Sequence, residues 1–539
     1  MANYLHGVET VHKGDVPKNV SEVKTSIIGI VGAPAAGWKE QIAADTPTVL
    51  TKQTDITKKF GSTATSGKLG SYLSKMYEQF TNQVPVVIVV PVGVETVSAA
   101  SKNLDAGSNI ITLAHTAVTV SKVEDSEGNT LTVTTDYVVT SETGEIEIKK
   151  SLPDTYKVTY TYTGGSEAVT EEVAPAPATI TTGKTNIGAV TVTDPTGATI
   201  YTEGEDYTVD YATGIITLLK DIATAKKVAY QYADSVSDSD IIGSNDSTPR
   251  TGIYALLDSQ TITGYTPKII IAPGYSQKKA VADALLAVTN RLKARCYIDA
   301  DMSDTDTVSK AVAARMSSSK AFGFHEKRFE LLFPALKSGE ETYPMSVAAA
   351  GVRARTDMDA SKGYWWSISS QAIYGFDALS VPVEYSINNS GADSQLLNAA
   401  GIVTVKNVGG LKFCGNMNSS FDSNSSGGNT DHEIFEVAMT VGDVIEESIE
   451  YYSEQRIDQP ITTPWIDGLV RDVSNFLITL AARGAIAGGR CWYDPEENAP
   501  TQLMAGHITF SYDDAATPPA DRITYQRSYN VDYLANLGK

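Results

Sequence analysis

Cysteine is scarce. Cys296, Cys414 and Cys491 are odd in number and far apart in 539 residues, which excludes a disulfide framework and fits a chain made in a reducing cytoplasm. Basic residues are in deficit, 43 Lys+Arg against 64 Asp+Glu, for a formal net charge of −21. A surface of that sign repels phosphate and argues against a broad nucleic-acid-binding face. Long apolar runs are missing too. The longest, Val84-Pro-Val-Val-Ile-Val-Val-Pro-Val92, is far short of the roughly 20 residues that span a bilayer as a helix, and reads as a buried strand. The start, Met1-Ala-Asn-Tyr-Leu-His, has no basic opening and no apolar stretch, so no signal peptide is expected. What remains is ordinary for folded protein: 42% hydrophobic and 20% charged residues. At roughly 150 residues per domain the length suggests three or four domains.

The chain changes character along its length. Residues 1–22 are polar with no helical period and read as an extended arm. Ser26–Gly32 and Val86–Val90 read as strands flanking a helix over Leu69–Phe80, an α/β alternation. From 104 to 240 the sequence turns to Thr, Val, Tyr and Gly. This stretch has 21 Asp/Glu, 8 Lys, no Arg and no Trp, so it carries −13 of the net charge. It repeats itself: 136–162 aligns with 206–232 at an offset of 70, with 11 of 27 positions identical, among them Asp136/Asp206, Tyr137/Tyr207, Gly144/Gly214 and Tyr160/Tyr230. Two tandem β-sandwich modules are expected, joined by the stiff segment Val173-Ala-Pro-Ala-Pro-Ala178.

After 240 the α/β pattern resumes, with strands at Lys268–Pro273 and Cys296–Asp299 and a helix over Gln277–Ala294. Farther on, a helix is expected over Asp443–Arg456, burying Val444, Ile445, Ile449 and Tyr452 and leaving Glu446, Glu447, Glu450 and Glu454 as a solvated face. The next helix takes Thr463 as N-cap and Pro464 as its first residue, and stops at Gly484. Strand-like runs follow at Arg490–Tyr493 and His507–Tyr512. The last 20 residues alternate like a strand with no local partner. The fold class is therefore an α/β (α+β) multidomain core with two inserted tandem all-β, β-sandwich-like modules and extended terminal arms. The expected domains are an arm at 1–22, an α/β middle domain at 23–103 plus 241–385, β modules at 104–166 and 179–235, a C-terminal α/β domain at 386–515, and an arm at 516–539.

Motifs for chemistry are weak. Gly61-Ser-Thr-Ala-Thr-Ser-Gly67-Lys68-Leu69 has five residues between its glycines where a phosphate loop has four, and Leu69 stands where Ser or Thr would ligate magnesium, so a polar loop before a helix is the better assignment. Asp299, Asp301, Asp304 and Asp306 lack the glycine and terminal glutamate of a calcium loop and read as a solvated turn, with Asp357 and Asp359 a similar weak pair. The six histidines are dispersed, none at metal-ligand spacing with a cysteine or another histidine. No Gly-x-Ser-x-Gly elbow is present. Trp365-Trp366 reads as a packing pair rather than a ligand platform. No cofactor, metal or catalytic residue is expected.

The order of motifs carries more. Tyr4-Leu-His-Gly-Val8, Thr25-Ser-Ile-Ile-Gly29, Thr251-Gly-Ile-Tyr-Ala-Leu-Leu257, Pro267-Lys-Ile-Ile-Ile-Ala-Pro-Gly274, Ala349-Ala-Gly351-Val-Arg-Ala-Arg-Thr-Asp357, Trp365-Trp366-Ser367, Asp443-Val-Ile-Glu-Glu-Ser448, Ala482-Arg-Gly-Ala-Ile-Ala-Gly-Gly489 and Pro519-Ala-Asp-Arg-Ile-Thr524 occur in sequence. Together they resemble the contractile tail sheath proteins of bacteriophages and of phage-tail-like particles such as R-type pyocins, over nearly all the chain except 104–240. The resemblance implies a non-enzymatic structural subunit of a virion tail, made in the bacterial host cytoplasm. It implies stacked hexameric rings around an inner tail tube protein, with baseplate and tail terminator proteins as further partners and no nucleic acid or membrane insertion. It also implies strand exchange through the arms, with Tyr4, Leu5, Val8, Ile523, Tyr525 and Tyr529 as candidate inter-subunit residues. The tube-facing surface is expected on the helix after Thr463, at Asp467, Arg471, Asp472, Asn475 and Arg483. The competing expectations are an α/β hydrolytic enzyme with β-sandwich accessory domains, for which no carboxylate pair can be nominated, and a surface adhesin.

Overall fold

The computed structural model describes residues 20–34, 43–60, 63, 67–81, 83–93, 97–104, 109–149, 155–163, 169–173, 179–183, 187–194, 196–211, 213–219, 226–233, 236–421, 423 and 432–537. The chain opens with β1 (Ile28–Gly32), β2 (Thr48–Leu50), α1 (Ile56–Phe60), α2 (Leu69–Tyr77) and β3 (Val87–Pro91). The insert follows with β4 (Val97–Leu104), β5 (Asn109–Thr112), β6 (Val118–Glu124), β7 (Tyr137–Thr140), β8 (Glu145–Ile148), β9 (Tyr156–Tyr162), β10 (Val169–Val173), β11 (Thr179–Thr181), β12 (Ile187–Thr193), β13 (Tyr207–Asp210), β14 (Ile215–Leu218) and β15 (Lys226–Ala233). The chain returns through α3 (Asp238–Ile242), α4 (Ser259–Thr263), β16 (Ile269–Ile271), α5 (Lys279–Leu292), β17 (Arg295–Asp299), α6 (Val308–Ala314) and β18 (Phe329–Leu332). Next come β19 (Leu336–Ser338), β20 (Glu341–Tyr343), α7 (Met345–Met358), β21 (Ala378–Leu379), α8 (Asp393–Ala399), β22 (Ile402–Asn407) and β23 (Leu411–Cys414). The last part holds α9 (Glu436–Glu454), α10 (Thr463–Arg483), β24 (Ile486–Trp492), α11 (Pro500–Met504) and β25 (Ser511–Ala516).

An eight-stranded sheet organises the core, in the order β2-β3-β1-β16-β17-β18-β22-β23. The strands from β3 to β22 run parallel, and β2 and β23 close the edges antiparallel. Both faces are covered, which explains why β1, β3 and β16 are apolar along their whole length rather than alternating. On one face Val31, Val90, Ile270, Cys296, Ile298 and Leu331 pack against Val281, Leu285 and Val288 of α5. On the other, Ile28, Ile30, Val89, Ile271, Tyr297 and Val403 pack against Leu73 and Met76 of α2 and Val347 and Val352 of α7. A Cβ on Gly351 would lie 2.7 Å from Gln79 Cγ, so glycine there lets α7 approach the end of α2.

The expected division at 385 does not follow the sheet. β22 and β23 extend it, and α8 packs on β22, because Ile402 and Val403 carry apolar side chains to both faces. What lies beyond is smaller: α9, α10 and the hairpin β24–β25 around Val441, Val444, Ile445, Leu469, Phe476, Leu477 and Leu480. α9 starts at Glu436, seven residues before the expected Asp443. The cap of α10 is Thr462, whose side chain accepts from Trp465 N, so Thr463 is already helical. β25 begins at Ser511, at the end of the run expected from His507.

The insert forms four three-stranded sheets. β5-β8-β7 and β10-β9-β6 share a core of Ile111, Val123, Ile146, Tyr156, Val158 and Tyr160. β11-β14-β13 and β12-β15-β4 share Ile180, Val192, Tyr207, Ile216 and Val228. The expected boundaries at 104–166 and 179–235 therefore miss two strands: β4 precedes the first module yet pairs with β15 in the second, and β10 falls in the expected gap.

Candidate assembly surfaces

Of the carboxylates expected to be a solvated face on α9, Glu454 is exposed, while Glu446, Glu447 and Glu450 reach lysines at the end of the sheet where its parallel strands begin, Glu446 and Glu450 remaining more than half exposed. Lys268 precedes β16, Lys293 and Arg295 lead into β17, and Lys327 and Arg328 precede β18. Facing them, Lys268 Nζ lies 2.5 Å from Glu447, and Lys293 Nζ lies 3.0 Å from Glu446 and 2.9 Å from Glu450. Arg328 donates to both oxygens of Asp443 at 2.6 and 2.9 Å, Arg295 pairs with Glu436, and Lys327 pairs with Glu433. Positions 436, 443, 447 and 450 share one helical stripe. Val441, Val444, Ile445 and Tyr452 form the neighbouring stripe, buried in the core shared with α10. One helix thus joins the two parts of the chain with an ionic face and an apolar face.

The deepest member of this contact is Arg353 on α7, fully buried. It lies 2.5 Å from Asp357 and 3.2 Å from Glu436, and donates to the carbonyls of Trp366 and Gly363. Burial pushes the Glu330 carboxyl well up, with Glu436 adding to the rise and Arg295 and Arg353 opposing it. Burial likewise raises Glu447 against the pull of Lys268, and lowers Lys268 against the pull of Glu447. Such a network is costly to desolvate and punishes any mismatch, so it specifies how α9 seats on the sheet. Sequence reasoning missed Lys268, Arg295 and Glu436 as a set. The available signal was Arg353 and Asp357 four residues apart at the end of a helix that begins small and mostly apolar.

Among the described residues the other end of the sheet has no comparable charge surface. Asp299 is buried and accepts from Ser346 N at 2.8 Å, Ser346 Oγ at 2.5 Å and Ser276 Oγ at 3.1 Å, so it caps α7. Burial raises its pKa to about 6. Asp304 and Asp306 pair with Lys320 and Lys310, and Asp301 accepts from Ser303. Among the described residues no three His, Cys, Asp or Glu side chains converge on a metal position. All three cysteines are free and buried. Residues 61–62 and 64–66 of the glycine-bounded loop lie outside the described residues, and Lys68 precedes α2 as its N-cap residue. Trp365 packs edge-on to Tyr364 at 5.0 Å and lies under the Arg483 guanidinium at 4.7 Å, a packing role.

On α10 the five expected surface residues separate. Asp467, Arg471 and Asn475 share an exposed stripe with Ile478. Asp472 is a correction: it is 8% exposed, accepts from Tyr452 Oη at 2.6 Å and lies 3.3 Å from Arg456, because one helical step from Arg471 turns it toward α9. Arg483 is exposed but pairs with Glu22, where the N-terminal segment crosses. That segment is docked rather than free, with Val20 buried and Val23 N donating to Ser448 Oγ at 3.2 Å. Tyr4, Leu5 and Val8 lie outside the described residues.

β24 and β25 form a two-stranded sheet lying on α10. A Cβ on Gly489 would meet Asp513 O at 2.9 Å and Leu477 Cβ at 3.3 Å, so glycine permits that approach. Among the described residues neither outer edge of this hairpin is paired in the sheet. Beyond it Thr517 N donates to Ala485 O at 3.1 Å, and the chain then runs without strand structure to a short 3-10 turn at Val531–Asn536. Ile523, Tyr525 and Tyr529 are 69%, 89% and 69% exposed. Large apolar side chains in such a row are what a partner surface covers.

A tail sheath protein of Burkholderia phage BcepMu is 31% identical over 99% of this chain and 99% of its own length. This chain belongs to the tail sheath protein family. The tail sheath protein of Escherichia phage P2 is 28% identical, over 56% of this sheath chain and 72% of its own. The fold matches the sheath of an extracellular contractile injection system (PVC) in its contracted state, with a TM-score of 0.54, 12% identity and 99% of both chains covered. It also matches the contracted helical sheath of the anti-feeding prophage, with a TM-score of 0.50, 13% identity, and 98% and 100% covered. Residues 163–238 of the insert match a family described as protein of unknown function UCP028589. Among the described residues no helix is long and apolar enough to cross a membrane.

Proposed function

We propose that this sheath chain assembles as stacked hexameric rings around an inner tail tube, anchored by baseplate and terminator proteins, and shortens to drive the tube through a cell envelope. Its role is mechanical and not catalytic, in a virion tail built in the host cytoplasm. The observation that carries this is the exposed apolar segment beyond Ala516 beside a hairpin with open edges. A strand added to such an edge gains main-chain hydrogen bonds in a neighbouring copy that persist while rigid domains turn. The roots of both arms support the same arrangement. Glu22 and Thr517 both bond to the turn where α10 ends, at Arg483 and Ala485, so one spot on each subunit would anchor two linkers. The exposed stripe Asp467–Arg471–Asn475 is the tube-facing candidate, and its charge allows release because exposed pairs are individually weak. The paired sheets of the insert act as small β-sandwiches, whose acidic surface favours solubility of a large particle.

Negative-stain microscopy of the purified chain, with and without residues 518–539, tests this. Hollow tubes from the full chain that vanish without the arm support sheath and linkage together. Tubes that survive removal overturn the arm exchange, and dispersed subunits at high concentration in both samples overturn self-assembly.

A further inference from the structure

The two repeats of the insert are equivalent strand by strand. In the second half of each, Tyr137, Ile146, Val158 and Tyr160 correspond to Tyr207, Ile216, Val228 and Tyr230 at an offset of 70. In the first half Ile111, Val118 and Val123 correspond to Ile180, Ile187 and Val192 at an offset of 69. Continued backwards, the same offset makes β4 the counterpart of β10. The registers agree at each shared position. Ala100 faces Tyr230 where Val169 faces Tyr160, Lys102 faces Val228 where Glu171 faces Val158, and Asn103 faces Lys227 where Glu172 faces Lys157. The links are also short in both, four residues (105–108) between β4 and β5 and five (174–178) between β10 and β11.

Each repeat in sequence order is thus β4 to β9, then β10 to β15. Neither closes on its own first strand. β10, the opening strand of the second repeat, completes the first module by a hairpin with β9. β4, the opening strand of the first repeat, passes over its own module and completes the last one against β15. The match of residues 163–238 to a separate family runs from the loop before β10 to the end of the insert, which is the sequence repeat and not the spatial module. We infer that the insert is a closed string of interchangeable units, in which each unit is finished by the opening strand of the next and the last is finished by the opening strand of the first. Entry and exit to the core then always form one antiparallel pair, β4 with β15, whatever the number of units between them. Whole units can be added or removed while the root on the sheath core stays the same, making the insert a spacer of adjustable reach. Loop closure over a longer string adds little cost, because it grows only with the logarithm of length.

Paired cysteine substitutions in the full chain test the exchange. Asn103→Cys with Lys227→Cys, and Glu172→Cys with Lys157→Cys, join strands that face each other here. Asn103→Cys with Lys157→Cys, and Glu172→Cys with Lys227→Cys, join strands that would face each other if each repeat closed on itself. After mild oxidation, peptide mapping should find an intrachain bond in nearly all of the first two and under a tenth of the last two. A bond in either of the last two overturns the exchange. A bond between two chains, seen as doubled mass without reductant, overturns it in favour of exchange between copies, and no bond in any variant overturns the registers. Removing residues 105–173 sharpens the point, since it deletes one unit and leaves β4 leading into β11. The shortened chain should still form the 103–227 bond and keep its main denaturation midpoint. Loss of that bond in a folded core overturns the interchangeability of units.

Discussion

The two ends of the central sheet handle charge in opposite ways. Where the parallel strands finish, the usual place for a ligand in such a fold, Asp299 is consumed in capping α7 and the nearby aspartates pair with lysines or neighbouring hydroxyls. Where the strands begin, Lys268, Arg295 and Arg328 meet the acidic stripe of α9. Charge in this fold is concentrated in a seam that holds the chain's own next helix. That seam specifies direction and register more than it supplies net stability, because desolvation offsets most of the Coulomb gain.

The largest break in this comparison comes from Arg353→Met, which strands Asp357 in the interior and leaves Glu436 to Arg295 alone. A loss of about 3–5 kcal/mol is expected by chemical denaturation. A loss below about 1 kcal/mol would mean that the network is wet. At the opposite end, Asp299 is raised from an ordinary 3.8 to about 6 in the folded chain. A raised carboxylate favours folding when protonated. Its contribution is fully present below about pH 4 and is lost as pH rises through about 6, a swing of about 3 kcal/mol at 1.36 per unit. The stability curve of Asp299→Asn should lack that fall between pH 4 and 6, and curves that stay parallel to wild type sink the assignment.

Lys268→Ala leaves Glu447 with a mostly buried, unpaired carboxylate and should cost about 2 kcal/mol. A double-mutant cycle with Glu447→Gln should recover at least half of it. The smallest effect is expected from Lys293→Ala. Its partners Glu446 and Glu450 are half or more exposed, so the change should be under about 1 kcal/mol and vanish in high salt. A large, salt-insensitive loss there would show that the rim is as dry as the centre.

Much of the sheet was readable in advance. Ile28–Gly32, Val87–Pro91 and Arg295–Asp299 are unbroken apolar or near-apolar runs of strand length, and α5 shows its stripe plainly, because local periodicity reports burial directly. The order of motifs was enough for the family. Less readable was the partner of each charge. Glu447 and Glu450 look alike in sequence, yet their side chains are 14% and 66% exposed, and Asp472 looked as exposed as its neighbour Arg471. A helix's polar stripe announces itself, but whether water or a lysine from 179 residues away faces it does not.

By itself the sequence determined the apolar strands, the main helices, the acidic repeat and the sheath ancestry, since each rests on residues close together in the chain or on their order along it. Only the tertiary structure decided that β22 and β23 belong to the central sheet, that one stripe of α9 is clamped by ions rather than solvated, and that β4 closes the module farthest from it. The physical reason is the same in each case. These pairings join residues distant in sequence, where strands with the same apolar pattern are interchangeable and the choice among them rests on loop lengths and on which buried charges can be matched.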